Sequence, residues 1–127
     1  MKYLHILLLF LFIPGAHGSD GVFEQEVAHL LTFVEQSDCT FIRNGKDYSS
    51  AEARAHINKK YNYIKKRISS AEQFITYGAS KSSITGKKYT VDCDGVSMTS
   101  GQWLRDELAA FRKSSAAASG TATQTGQ

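Results

Sequence analysis

The chain has 127 residues, of which 15 are Lys or Arg and 12 are Asp or Glu, for a formal net charge of +3. This length holds one ordinary domain with a modest hydrophobic core and leaves no room for a second. So small a net charge argues against a nucleic-acid-binding protein, which is usually strongly basic. The total hides a segregation, because residues 41–91 hold eleven bases and three acids while residues 19–40 hold five acids and no Lys or Arg.

The N-terminus has the pattern of a secretory signal peptide. Lys2 gives a positive start, residues 4–13 form an almost unbroken apolar run, and Pro14 breaks that run before small residues at Ala16 and Gly18. The apolar run is too short to span a membrane. We therefore expect cleavage after Gly18 and an exported protein whose mature form has no transmembrane segment.

Export bears on the state of Cys39 and Cys93, which are the two cysteines of the chain. A single, well-separated pair in an oxidising compartment is typical of a disulfide rather than of a redox motif, which requires a Cys-x-x-Cys spacing. We predict a Cys39–Cys93 disulfide, with two buried free cysteines as the alternative. In the chain-entropy model, closing a loop of this length stabilises a fold by up to about 4 kcal/mol.

The first predicted helix covers residues 21–36, with Asp20 as its N-cap and an apolar stripe at helical spacing. The stripe consists of Phe23, Val27, Leu30, Leu31 and Val34. A short β-type run at residues 40–43 follows, and then Asn44-Gly45, a strong two-residue hairpin signal. Residues 46–48 form the predicted return strand.

Two capping-box patterns mark the middle of the chain. Ser49 with Glu52 predicts a helix over residues 50–68, and Ser69 with Glu72 predicts a third helix that ends near residue 78. No Pro or Gly separates the two segments, so a single bent helix fits the sequence equally well.

Loop and strand signals follow the middle helices. Residues 79–88 are rich in Ser, Gly and Lys without apolar periodicity and predict a loop, whereas residues 89–93 alternate as a short strand. Asp94-Gly95 turns the chain again.

The predicted domain ends with a helix. Thr99 with Gln102 forms a third capping box, and the helix that it opens is predicted to run to about Lys113. Residues 114–127 contain only Ser, Ala, Gly, Thr and Gln and predict a disordered low-complexity tail. Residues 19–113 are therefore expected to form one α+β domain, with three to four helices packed on a small antiparallel sheet of two or three short strands.

Several sequence motifs occur in an order that resembles the YfeK-like family of small exported bacterial proteins, a domain of unknown function. The resemblance covers residues 22–113 and implies export to a bacterial periplasm, but it supplies no catalytic residues. The low-complexity tail lies outside it. The residues that carry it are the run from Cys39 to Gly45, Ala51-Glu52-Ala53, His56, Lys60-Tyr61, Arg67-Ile68, Ser70-Ala71-Glu72, Phe74-Ile75, Tyr89, Val91, Cys93-Asp94-Gly95 and Trp103-Leu104.

The common catalytic and metal-binding patterns are missing from the sequence. The mature chain has only His29 and His56, on different predicted helices, and His29 falls opposite its helix's apolar stripe. We therefore predict no metal site and no cofactor. The nearest approach to a serine nucleophile motif, residues 95–99, lacks the final glycine.

The candidate binding residues lie on one shoulder of the second predicted helix. At 100° per residue, His56, Lys60, Tyr63 and Arg67 share this shoulder, and they supply cationic, imidazole and phenol groups suited to a carboxylate or phosphate. Lys59, Lys65 and Lys66 are predicted to point away as solubility residues. The alternative interpretation is a solvated helix face whose charges meet the acidic first or last helix.

Two functions of different kinds are compatible with these residues. The leading hypothesis is a non-catalytic periplasmic domain that binds an envelope protein or an anionic envelope component through the shoulder and residues 80–88. The alternative is a small hydrolase or transferase with His56 as general base, oriented by Glu52 four residues earlier. A purely structural envelope protein is a third possibility.

Overall fold

A computed structural model describes the backbone of residues 18–125 and the side chains of residues 21–118. Within that part of the chain, four α-helices and four β-strands form an α+β arrangement, in the order α1-β1-β2-α2-α3-β3-β4-α4. The helices are α1 (Gly18–Gln36), α2 (Ser50–Ile64), α3 (Ala71–Gly78) and α4 (Ser100–Thr125). The strands are β1 (Thr40–Arg43), β2 (Lys46–Tyr48), β3 (Thr90–Cys93) and β4 (Val96–Thr99).

The four strands form an antiparallel sheet in the order β2-β1-β3-β4. Both predicted hairpin turns are present, with the left-handed backbone that tight turns of this kind need: φ is 52° and 77° at Asn44-Gly45, and 54° and 83° at Asp94-Gly95. The predicted fold class is confirmed. The sheet has one strand more than the two or three expected, because the short run of Val96–Thr99 pairs with β3 before α4 begins.

The hydrophobic core lies between the helices and one face of the sheet. The predicted stripe of α1 faces inward, with Val27, Leu30, Leu31 and Val34 buried. Phe41 and Val91, which are partners across β1 and β3, are buried from the sheet side. The other helices contribute Ala53, Ile57, Ala71, Phe74, Ile75, Leu104 and Leu108.

The middle of the chain forms two helices rather than one. A 3₁₀ turn over Lys65–Arg67 ends α2 earlier than the predicted residue 68, and Ile68 is extended at φ −121° and ψ 155°. The cap of α3 is Ser70, whose Oγ accepts a hydrogen bond from the Gln73 amide at 3.2 Å. The prediction of Ser69 as the cap is wrong by one residue. The Ser69 amide instead donates to Gln73 Oε1 at 2.6 Å.

The ends of the outer helices differ from the sequence prediction. Helix α1 begins at Gly18, so Asp20 lies inside it rather than at its cap. Helix α4 continues past the predicted end at Lys113 to Thr125. Residues 114–125 thus continue α4 in this structure, and the disorder of the low-complexity tail stays a prediction.

The predicted signal peptide lies outside the described residues except for Gly18. Its cleavage and the domain boundaries drawn from it stay predictions. Within residues 18–125, no helix is long and apolar enough to cross a membrane.

The predicted disulfide is confirmed. Cys39, just before β1, is bonded to Cys93 at the end of β3, with the two Cα atoms 4.7 Å apart. The register of the two strands explains the pairing, because Thr40 lies opposite Asp92 and the cysteines therefore face each other one position further along. The bond joins the two central strands of the sheet across 54 positions of sequence.

Candidate functional site

Helix α2 and the sheet bring a cluster of basic and phenolic side chains together. His56 and Lys60 are one helical turn apart on α2 and therefore point to the same side. Arg43 ends β1, and Tyr89 directly precedes β3. Since Ile42 pairs with Thr90, the antiparallel register sets Arg43 alongside Tyr89.

The Tyr89 hydroxyl is the meeting point of the cluster. His56 Nε2 lies 3.1 Å from Tyr89 Oη, and Lys60 Nζ donates to the same oxygen at 3.2 Å. Lys60 Nζ also donates to the backbone carbonyl of Lys81 at 2.8 Å and lies 5.0 Å from the centre of the Tyr89 ring. The ammonium group of Lys60 is therefore held between α2 and the loop of residues 79–88.

Arg43 is a further neighbour of the imidazole. Its Nη2 donates to Tyr48 Oη at 2.8 Å, and its guanidinium carbon lies 4.7 Å from the centre of the Tyr48 ring. Arg43 Nη1 is 3.4 Å from both ring nitrogens of His56. His56 thus lies near the cationic groups of both Arg43 and Lys60.

The positive charges and the partial burial shift the protonation of the cluster. Burial lowers the pKa of His56, and the charges of Arg43, Lys60 and Lys59 lower it further. Burial, followed by the charge of Arg43, likewise lowers the pKa of Lys60. For Tyr89, burial raises the pKa, so its hydroxyl stays protonated at neutral pH.

An open groove of about 500 Å³ lies over the cluster. We call it the α2 groove, and none of its described lining residues is acidic. A much smaller pit of about 30 Å³ adjoins it and shares Arg43 and His56. The α2 groove is lined by Arg43, His56, Lys59, Lys60, Tyr63, Ile64, Tyr77 and Ser83.

The structure brings three of the four predicted binding residues into the α2 groove, namely His56, Lys60 and Tyr63. Arg67 is not among the lining residues; it lies in the 3₁₀ turn, with its guanidinium carbon 5.6 Å from the centre of the Tyr63 ring. The prediction that Lys59 points away is wrong, since Lys59 lines the groove.

Arg43, Tyr48 and Tyr89 are the site residues that sequence reasoning missed. They lie on strands or beside them, and nothing in the helical periodicity of α2 refers to them. A local signal existed only for Arg43, which directly precedes the Asn44-Gly45 turn and therefore had to lie at an end of the sheet.

Glu52 does not act on His56 in this structure. Its Oε1 accepts a hydrogen bond from Ser49 Oγ at 3.1 Å, and its amide donates to the same hydroxyl at 3.2 Å. Ser49 thus caps α2 as predicted, while the Glu52 carboxylate binds the Ser49 hydroxyl rather than the Ser49 amide that a full capping box uses. Among the hydrogen bonds of the described residues, none joins Glu52 to His56, and no group of three His, Cys, Asp or Glu side chains there is arranged to hold a metal ion.

Two acidic residues of α1 pair with basic residues outside the α2 groove. Glu35 forms an ion pair with Arg54, and Glu26 accepts two hydrogen bonds from Arg112. His29, predicted to lie opposite the apolar stripe, packs against α4, where its Nε2 is 2.6 Å from Glu107 Oε2. Across the described side chains, no ion pair neutralises the basic residues that line the groove.

These features define a small, disulfide-bridged α+β domain with a basic groove lined by α2, α3, the loop of residues 79–88 and the end of β1. The chain belongs to a family of unknown function, DUF5329, whose model matches residues 22–112. It is 45% identical over 62 residues to a protein of Salmonella typhimurium (strain LT2) named "Uncharacterized protein YfeK". The aligned part is 49% of this chain and 52% of that protein, so the chain spans about half the length of the curated relative it matches. The resemblance to the YfeK-like family is confirmed, and no solved structure matches the chain.

Proposed function

We propose that the protein is a non-catalytic binding protein of the bacterial periplasm that holds an anionic group of an envelope component in the α2 groove. The observation that carries this proposal is the concentration of Arg43, Lys59 and Lys60 around a groove whose described lining residues include no acid. Phosphate and carboxylate groups are the ligands that such side chains favour, because charge-assisted hydrogen bonds are the strongest that these side chains form.

Two details support an anion over a neutral ligand. Burial lowers the pKa of Lys60, and the nearby positive charge of Arg43 lowers it further. An anion in the groove reduces the repulsion between Arg43 and Lys60, so the local electrostatics favour anion binding. Tyr63 lines the groove and is 76% exposed, so its hydroxyl can donate to the same ligand.

The same geometry favours binding over catalysis by His56. Its Nε2 is engaged with the Tyr89 hydroxyl, and a general base of this kind is ordinarily oriented by a carboxylate. The carboxylate suggested by sequence, Glu52, is instead occupied at the helix cap by Ser49.

The test is a titration of the full chain with inorganic pyrophosphate, followed by calorimetry and by chemical-shift changes in the groove. We expect Lys60→Ala to weaken binding about tenfold, because one charge-assisted contact is lost. The matched control is Lys66→Ala, an exposed lysine in the 3₁₀ turn that is not among the lining residues. A wild-type chain that does not bind pyrophosphate, or equal effects of the two substitutions, would contradict the proposal.

A further inference from the structure

The loop of residues 79–88 presents an isolated apolar side chain to solvent. Ile84 is 94% exposed, the most exposed of the large hydrophobic residues in the described part of the chain. A single exposed apolar residue is ordinary on a protein surface. Ile84 differs from other exposed apolar residues because its loop is held by hydrogen bonds and lies beside basic and aromatic side chains.

The loop that carries Ile84 is held in place by its own hydrogen bonds. The Ser82 Oγ accepts from the amides of Ile84 and Thr85, both at 3.3 Å, and the Ser82 amide donates to the Lys87 carbonyl at 2.9 Å. Thr85 Oγ1 also donates to Asn44 Oδ1 at 2.7 Å, which ties the loop to the β1–β2 turn. Ile84 therefore projects from an ordered loop anchored to the sheet.

Basic and aromatic side chains surround this apolar tip. Lys81, Lys87 and Lys88 lie within four residues of Ile84 and are all exposed. Its neighbour Ser83 lines the α2 groove, together with Tyr63, 76% exposed, and Tyr77, 59% exposed. The basic groove, two exposed tyrosines and the apolar tip thus adjoin one another.

We propose that the α2 groove binds its anion at the surface of an anionic phospholipid bilayer, with Ile84 inserted at the boundary between the lipid headgroups and the acyl chains. This proposal rests on the proposed function and adds the source of the anion, a lipid phosphate. Charge complementarity favours that partner: lysines are attracted to an anionic lipid surface, and tyrosines are enriched at the boundary between headgroups and acyl chains. A soluble phosphate or an anionic polysaccharide would offer Ile84 no apolar environment, whereas a bilayer does.

The first experiment locates residue 84 in the bilayer. Full-chain Ile84→Trp and Val96→Trp variants are mixed with vesicles of equal parts phosphatidylglycerol and brominated phosphatidylcholine, whose bromine quenches tryptophan fluorescence. Val96 is the matched control because it is also exposed, at 67%, but lies on β4, at the opposite edge of the sheet from β2. We expect quenching of Ile84→Trp above the background that Trp103 gives in the parent chain, and no such increase for Val96→Trp.

The apolar residues 4–13 are common to all of these chains, so a difference between the two variants reports the loop and not the N-terminus. Pure phosphatidylcholine vesicles should give about tenfold weaker binding through the loop, because the lysines lose their anionic partner.

A second experiment separates this proposal from the proposed function. We expect Ile84→Ser to keep the pyrophosphate affinity of the parent chain and to bind the mixed vesicles about tenfold more weakly. Intact pyrophosphate binding with equal quenching of Ile84→Trp and Val96→Trp would overturn the bilayer proposal and leave the anion site standing. Dextran sulfate binding that Ile84→Ser does not change, together with no quenching of Ile84→Trp on vesicles, would overturn the bilayer proposal in favour of a soluble polyanion. A parent chain that binds neither pyrophosphate nor the mixed vesicles would contradict both proposals.

Discussion

His56 shows how a single residue acquires its properties from the tertiary structure. In the sequence it is a helix-surface histidine four positions after Glu52. In the folded domain it contacts Arg43 and Tyr89, which are 13 and 33 positions away, and has no described hydrogen bond with Glu52. Its partners are thus a cation and a phenol rather than a carboxylate, which favours the predicted binding role of His56 over the alternative of a general base oriented by Glu52.

The lowered pKa of His56 predicts a pH dependence of stability. Because the folded chain binds a proton at His56 only below the ordinary pKa of about 6.5, the unfolded chain takes up that proton first as the pH falls. The free energy of unfolding should therefore decrease as the pH falls below about 6.5, until the folded pKa is passed. His56→Gln should remove this contribution, as measured by urea unfolding between about pH 5 and pH 8.

The control for this prediction is His29→Gln, which leaves the surroundings of His56 unchanged. The His29→Gln chain should keep the contribution of His56 to the pH slope. An identical slope in the parent and His56→Gln chains would contradict the prediction.

At the scale of the elements, short-range signals placed most helices and turns correctly. Ser49 caps α2 by accepting from the Glu52 amide as predicted, the amide of Gln102 donates to Thr99 Oγ1 at 3.4 Å, and both two-residue hairpin turns are present. These features depend on residues within three positions of one another, which is why a sequence pattern can identify them. The start of α3 was misplaced by one residue because Ser69 and Ser70 are both followed by a suitable side chain three positions later.

The two serines before α3 allow a direct comparison. Ser70→Ala should lower the free energy of unfolding by about 1 kcal/mol, because the Gln73 amide loses its cap. Ser69→Ala should lower the free energy of unfolding by only a few tenths of that amount. It removes an exposed contact of 3.3 Å between Ser69 Oγ and Gln73 Oε1, while the hydrogen bond from the Ser69 amide to Gln73 Oε1 remains. Urea unfolding of the two variants measures the difference, and a larger effect of Ser69→Ala would contradict the assigned cap.

At the scale of the whole molecule, Arg112 joins three helices. From α4 it donates to both carboxylate oxygens of Glu26 on α1, at 2.8 and 2.9 Å, and to both of Glu72 on α3, at 3.1 and 2.8 Å. The hydrogen bonds from Arg112 lower the pKa of Glu72, so its contribution to stability is present at neutral pH and lost in acid. Glu26 is only 8% exposed, which makes its pairing with Arg112 costly to remove.

Arg112→Ala should therefore destabilise the fold by about 2 kcal/mol, because it leaves the Glu26 carboxylate buried without its partner. The matched control is Arg105→Ala on the same helix, where an exposed hydrogen bond to Thr76 is lost and the expected change is within about 0.5 kcal/mol. Thermal and urea unfolding of both variants would measure these changes. Equal destabilisation by the two substitutions would contradict the prediction that the Arg112 contacts stabilise the fold more than the Arg105 contact does.

The sequence by itself determined the fold class, the Cys39–Cys93 disulfide, the turns at Asn44-Gly45 and Asp94-Gly95, and the inward stripe of α1. Each of these follows from local backbone preference, from helical periodicity or from the presence of a single cysteine pair. The tertiary structure alone decided that His56 of α2 contacts Arg43 and Tyr89, and that Lys59 lines the same groove. Periodicity gives the face of a helix that is buried, but the neighbour against which that face packs depends on the whole core, and the α2 groove exists only where those two surfaces meet.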